Sequence, residues 1–183
     1  MHTWPRILTA LSCLPVLLLT QQIVTAQTTE CPGGYSDTFE LDGEVNHPKT
    51  YTLPDLLLQS HNWTRVKDFF LTGSGSDSGT FTGILLWDLL QQAKVIVDPD
   101  RRNDLSRKSV LITGSDGYEQ LYSLGELDPR LGGSHPVIVT FLRDDVLLDN
   151  GEGMARIINP GDKAGARRVF NITRIRVLTP PLE

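Results

Sequence analysis

The chain has 183 residues, 39% hydrophobic and 21% charged, with a formal net charge of −5. That length suits one compact domain, and that composition excludes low-complexity disorder and a multi-span membrane protein. An acid excess without a basic run also excludes the electrostatic footprint of a nucleic-acid or anionic-lipid binder.

Residues 1–26 read as a signal peptide. "MHTWPR" carries one Arg, "ILTALSCLPVLLLT" is an apolar run shorter than a membrane span, and Val24-Thr25-Ala26 fits the small-residue cleavage rule. The expected location is periplasmic or secreted, with no membrane association after cleavage. Cleavage removes Arg6 and no acid, so the mature chain is more acidic still. It also leaves Cys31 as the sole cysteine, so no intrachain disulfide can form and the core must hold the fold. Asn62-Trp-Thr and Asn171-Ile-Thr are sequons that matter only in a eukaryotic secretory pathway.

Residues 27–37 are polar and Gly-rich, and read as a flexible arm. Residues 38–183 then form the domain. "TFELDGEV" alternates like a strand entering a turn at Gly43, and "TYTL" is a second short strand. "TLPDLLLQ" starts a helix with Thr52 as N-cap and Pro54 second inside it. Trp63 to Leu71 reads as a strand, and Gly73 to Gly79 as a loop. "TFTGILLWDLLQQAKV" has Ile84, Leu85, Leu89 and Ala93 at helical spacing. "DPDRRNDLSRK" is a charged connector. "SVLITGSDGYEQLYSL" is a hairpin about an "SDG" turn, and "GELDPRLGGSH" a loop with room for one helical turn. A further hairpin turns at Asp144-Asp145. The closing strand alternates Val169, Ile172, Ile175 and Val177, and its phase slip between Val169 and Ile172 predicts a bulge there. Many short strands, two or three helices and no βαβ alternation imply an α+β fold.

Motif chemistry is sparse. The Gly-Ser stretch lacks the Lys of a phosphate loop, and Ser78 stands where a dinucleotide fingerprint needs its last Gly. "GSDSG" and "TGSDG" place Asp77 and Asp116 where a nucleophile elbow needs Ser. His47, His61 and His135 have no zinc spacing. Asp144-Asp145 reads as a solvated turn. Two features suit an anion: small residues with free backbone N–H groups, Ser74, Gly75 and Ser76, and the basic loop "NPGDKAGARRVFN" with Lys163, Arg167 and Arg168. On spacing alone each also reads as an ordinary surface loop.

Four segments, in order, resemble the sulfite-oxidase-type molybdopterin-binding domain: "LDGEVNHPKTYTLPDLL", "FTGILLWDLLQQAKV", "SDGYEQLYSLGEL" and "NGEGMARIINPGDKAGARRVFNITRIRVL". Together they span roughly residues 38–178. The resemblance implies an α+β fold of stacked small sheets and a molybdenum–molybdopterin cofactor used in oxygen-atom transfer. It implies cofactor contacts at Ser74, Gly75, Ser76, Asp116, Tyr118, Arg156, Lys163 and Arg167, with Arg167 and Lys163 on phosphate. Catalytic members carry a molybdenum-binding Cys in the loop before the Leu-rich helix, where Gly73 to Gly79 has none. They also carry Lys where this chain has Phe170. The expected function is therefore an exported, oxidoreductase-like protein that binds a pterin or another small anion. Its protein partner would be a redox or periplasmic protein. The alternative is a non-catalytic binding or interaction domain that keeps the fold without the metal.

Overall fold

The computed structural model describes residues 33–132, 135–149 and 151–180. The signal-peptide reading, Cys31 and the first part of the arm lie outside the described residues. Gly33 to Asp37, read as the end of a flexible arm, are packed onto the domain. Ser36 is buried, its hydroxyl donates to the Ile172 carbonyl at 2.8 Å, and its carbonyl accepts from Met154 N at 3.1 Å.

The first sheet holds β1 (Thr38–Gly43), β2 (Lys49–Thr52), β5 (Ser109–Gly114), β6 (Glu119–Ser123) and β10 (Ile172–Leu178), in the order β2-β1-β10-β5-β6. β1 runs parallel to β10 and the other pairs are antiparallel. The second sheet is antiparallel, with β3 (Trp63–Thr72), β4 (Gly75–Leu85), β7 (Ile138–Arg143) and β8 (Val146–Leu147) in that order, and β9 (Arg156–Ile158) also paired to β7. Among the described residues four short α-helices join them: α1 (Leu53–Leu57), α2 (Leu86–Ala93), α3 (Asp104–Arg107) and α4 (Leu124–Leu127). None of the described helices is long and apolar enough to cross a membrane.

The main core takes alternate residues of both sheets, among them Phe39, Leu41, Ile112, Phe141, Ile157 and Ile175, with Leu56 of α1 and Leu86, Leu89, Leu90 and Ala93 of α2. A smaller cluster, Phe70, Phe81, Ile138 and Ile158, lies on the second sheet. Local chemistry sets the element ends. Thr52 and Asp55 form a reciprocal capping box at α1, with Thr52 N donating to Asp55 Oδ2 at 3.0 Å. Left-handed Lys94 stops α2. Asp144 and Asp145, both at positive φ (50° and 66°), make the two-residue turn between β7 and β8 that suits the strand twist.

Three expectations are corrected. Gly73 to Gly79 is not a loop: Gly73 and Ser74 make a two-residue turn and Gly75 to Gly79 belong to β4, paired without a register break to β3. Cross-strand pairing outweighs the poor strand propensity of Gly, Ser and Asp there. Ile84 and Leu85 end β4, and the helix begins only at Leu86, whose N–H is held by the Val137 carbonyl at 2.9 Å. The bulge falls between Ile172 and Arg174, and Val169 precedes the strand, its carbonyl accepting from Ile157 N.

Candidate functional site

The second sheet positions the site. Even-numbered residues of β3 turn Val66, Asp68 and Phe70 to the face that carries Phe81 of β4 and Ile158 of β9. The chain from Asn159 to Phe170 crosses this region and is tied to the end of β3: Leu71 N donates to the Lys163 carbonyl at 3.0 Å, and Leu71 bridges Ala164 in parallel. Between these segments lies an apolar cleft of about 640 Å³, lined by Phe70, Leu71, Thr72, Gly73, Ala164, Gly165, Ala166 and Phe170. Its wall is tight. A Cβ on Gly165 would stand 3.2 Å from the Phe70 ring.

Two buried guanidinium groups lie against the cleft's aromatic rings. Arg156 of β9 is fully buried, with its guanidinium carbon 4.3 Å from the Phe170 ring centre, 5.1 Å from Phe81 and 5.9 Å from Phe70. Arg168 is 3.7 Å from the Phe70 ring centre. It pairs with buried Asp68 and donates to the Ala164 carbonyl at 3.0 Å. Arg156 pairs with Glu152, which also lies 3.7 Å from Arg143, and Arg143 pairs with Asp77. With Asp144 3.9 Å from Arg143, four carboxylates thus serve three guanidiniums. Even so, Nε and Nη2 of Arg156 and Nε of Arg168 have no partner among the described residues. Burial pushes the Arg156 guanidinium down to about 9, and Arg143 and Arg168 nearby act in the same direction, while Asp77 and Asp68 oppose it.

The residues expected at the site are distributed as follows. Ser74, Gly75 and Ser76 sit at the exposed tip of the β3–β4 hairpin, next to the cleft residues Thr72 and Gly73. Asp116 and Tyr118 form the β5–β6 turn, where Asp116 Oδ1 accepts from Tyr118 N at 2.9 Å. The Tyr118 hydroxyl donates to the Ala166 carbonyl, which brings that turn to the cleft wall. Lys163 is exposed, next in sequence to Ala164 of the wall, and its ammonium forms no ion pair among the described residues. Arg156 lies beneath Phe170. Arg167 turns elsewhere: Asp162 holds it through two hydrogen bonds of 3.1 and 2.8 Å, Glu126 through one of 2.9 Å, and it lies 4.9 Å from the Tyr122 ring centre. Hydrogen bonds to Asp162, then to Glu126, raise its pKa above the ordinary arginine value. It lines a separate cavity of about 270 Å³ with Glu126, His135, Asn159 and Asp162.

Reading the sequence missed Asp68 and Glu152. Asp68 carried a signal, because in "VKDFF" it shares strand phase with Val66 and Phe70, and an acid on an apolar phase needs a buried cation. Glu152 carried none, since it lies outside any regular element.

The donor set fits the organic, anionic part of a pterin cofactor better than its metal. No described residue at the cleft is a thiolate, and no group of three or more His, Cys, Asp or Glu among the described residues could hold a metal ion. The apolar walls would suit a flat ring, and the unpartnered N–H groups of Arg156 beneath Phe170 would suit an anion.

No protein-family model matches the chain. No curated protein matches it either. Among solved structures it is similar to the crystal structure of the sulfane dehydrogenase SoxCD from Paracoccus pantotrophus, with 19% identity and a TM-score of 0.64 over 84% of this chain. The chain spans 40% of that neighbour's length. At this identity the likeness carries the fold alone: an α+β arrangement of two stacked sheets, of the sulfite-oxidase-like kind.

Proposed function

We propose that this chain is an exported, oxidoreductase-like binding protein that holds a small organic anion in the cleft between the β3–β4 hairpin and residues 164–170. A molybdopterin-type cofactor is the first ligand to test. The observation that carries the reading is Arg156, a buried guanidinium with two unpartnered nitrogens beneath a ring that itself lines the cleft. Lys163 would meet the same anion from the solvent side, with backbone N–H groups of Ser74 to Ser76 at the hairpin tip. Tyr118 would position the wall through Ala166. A bound molybdenum–pterin would supply oxygen-atom-transfer chemistry. The protein's own part would be to hold the pterin's anionic end and to exclude water from its ring.

The second reading is a non-catalytic relative that binds an organic anion without metal. The missing thiolate favours it, together with Phe170 in place of the Lys of catalytic members. One experiment separates the two readings. The natively produced protein is assayed for molybdenum by elemental analysis and for pterin by fluorescence after oxidation. Metal and pterin together support the redox protein, whereas pterin without metal supports the non-catalytic one. If neither is present and melting does not shift with pterin or phosphate, both readings fail. Residues 1–26 would direct export, and a mature N-terminus at Gln27 by mass spectrometry is the expected result.

A further inference from the structure

β3 is an edge strand of the second sheet. It is ten residues long, contains no Pro, and pairs with β4 from Trp63 to Thr72 without a bulge. Proteins usually blunt such an edge by shortening it, bulging it or covering it. Among the described residues the edge is covered at one end only, where Leu71 bridges Ala164. Because Leu71 N–H points outward to the Lys163 carbonyl, the two-residue period aims the N–H and C=O groups of Arg65, Lys67 and Phe69 the same way. None of those three has an outer backbone partner among the described residues. At Leu71 one outward N–H of this edge is already paired to another segment of the same chain.

The side chains of this stretch are exposed and share a sign. Arg65 and Lys67 are basic, Phe69 is 63% exposed and Leu71 is 55% exposed. Arg65 pairs with exposed Asp145, and Lys67 has no carboxylate partner among the described residues. On the same face of β4 stand Ser76, Ser78 and Thr80, with no acid among them. A second copy pairing antiparallel about Lys67 would set that lysine opposite itself, which disfavours self-association.

We propose that the outer edge of β3 from Arg65 to Phe69 docks an extended acidic segment of a partner protein, added as a further strand of the second sheet. Main-chain hydrogen bonds from Arg65, Lys67 and Phe69 supply the pairing. Acidic side chains at alternate positions of the partner meet Arg65 and Lys67, and an apolar one meets Phe69. The edge is independent of whatever occupies the cleft.

The test uses the natively produced chain and a fluorescein-labelled peptide alternating glutamate and valine. A peptide alternating lysine and valine serves as control. The acidic peptide is expected to bind with an affinity that falls as salt is raised, and to protect the amides of Arg65, Lys67 and Phe69 from hydrogen exchange. Lys67→Glu, at an exposed position, is expected to weaken binding at least tenfold. Equal binding of both peptides, protection confined to other elements, or no binding at all overturns the proposal. Protection of β3 that grows with protein concentration alone also overturns it, because the partner would then be a second copy. Wild-type exchange decides the matter even where the variant folds poorly.

Discussion

Phe170→Ala tests whether Arg156 is a masked anion site. Phe170 is 36% exposed, so about two-thirds of the ring is covered, which contributes about 1–2 kcal/mol. Its stack on the Arg156 guanidinium adds about 0.5–2 kcal/mol. An ordinary side chain so placed would cost the sum when truncated. Here truncation also lets water reach Arg156 Nε and Nη2, and each buried unsatisfied donor costs about 1–3 kcal/mol. The two effects offset, so the expected loss is only about 1 kcal/mol by urea denaturation. Phe70→Ala is the comparator: Phe70 is 2% exposed, belongs to the small cluster, and is expected to cost about 3–5 kcal/mol. Calorimetric titration with inorganic phosphate should show the Phe170→Ala variant binding about tenfold tighter than wild type, about 1.4 kcal/mol. A stability loss above about 3 kcal/mol, or unchanged phosphate affinity, would refute the reasoning.

Arg156→Met should leave the unliganded protein nearly as stable, since the unpaired donors go with the charge and Glu152 keeps Arg143; the thermal shift given by phosphate or pterin should vanish. Asp68→Asn strands the Arg168 cation against Phe70 and should cost about 3–5 kcal/mol, whereas Asp68→Leu with Arg168→Met should recover most of it in a double-mutant cycle. Gly83→Ala would place a Cβ 2.2 Å from the Val139 carbonyl oxygen at the β4 bulge, and a loss of about 3 kcal/mol is expected in urea. Asp55 is held at about 2, below 3.8, chiefly by the Thr52 hydroxyl and Lys49. Its contribution is full above about pH 4 and is lost as pH falls towards 2, so Asp55→Asn should flatten that part of the acid-unfolding curve.

Much of the frame was legible because it rests on local chemistry. Thr52 before a Leu-rich run marks a helix start, Asp144-Asp145 marks a tight turn, and "SDG" separates two apolar runs. One failure comes from pairing that acts at a distance. "GSGSDSG" has turn composition throughout, yet β3 lies opposite and recruits all but its first two residues into the ladder. Ile84 and Leu85 fit a helical period only because a short apolar run has no unique period. At the site, Arg167 and Arg168 are adjacent in "GARR" and indistinguishable by composition. The short turn Gly165–Arg167 separates them, sending Arg167 out to Asp162 and Glu126 and Arg168 inward to Asp68.

The two buried guanidiniums differ in how far the fold alone accounts for them. Arg168 is explained by the fold: it pairs with Asp68, donates to the Ala164 carbonyl and lies against Phe70, so it anchors the crossing segment to β3. Arg156 is not explained in this way. Glu152 satisfies one of its nitrogens, two others are unpartnered, and burial lowers its pKa to about 9, still above neutrality, so the group keeps its charge while short of acceptors. In a domain whose net stability is about 5–15 kcal/mol, two orphaned donors at about 1–3 kcal/mol each are a large share to leave unused. Packing alone would be served as well by Met or Leu at that position. An anion arriving past Phe170 would supply the missing acceptors and convert that cost into binding free energy. On the proposed reading, the same buried guanidinium would account both for the cost of its unpartnered donors and for a preference of the cleft for negative charge.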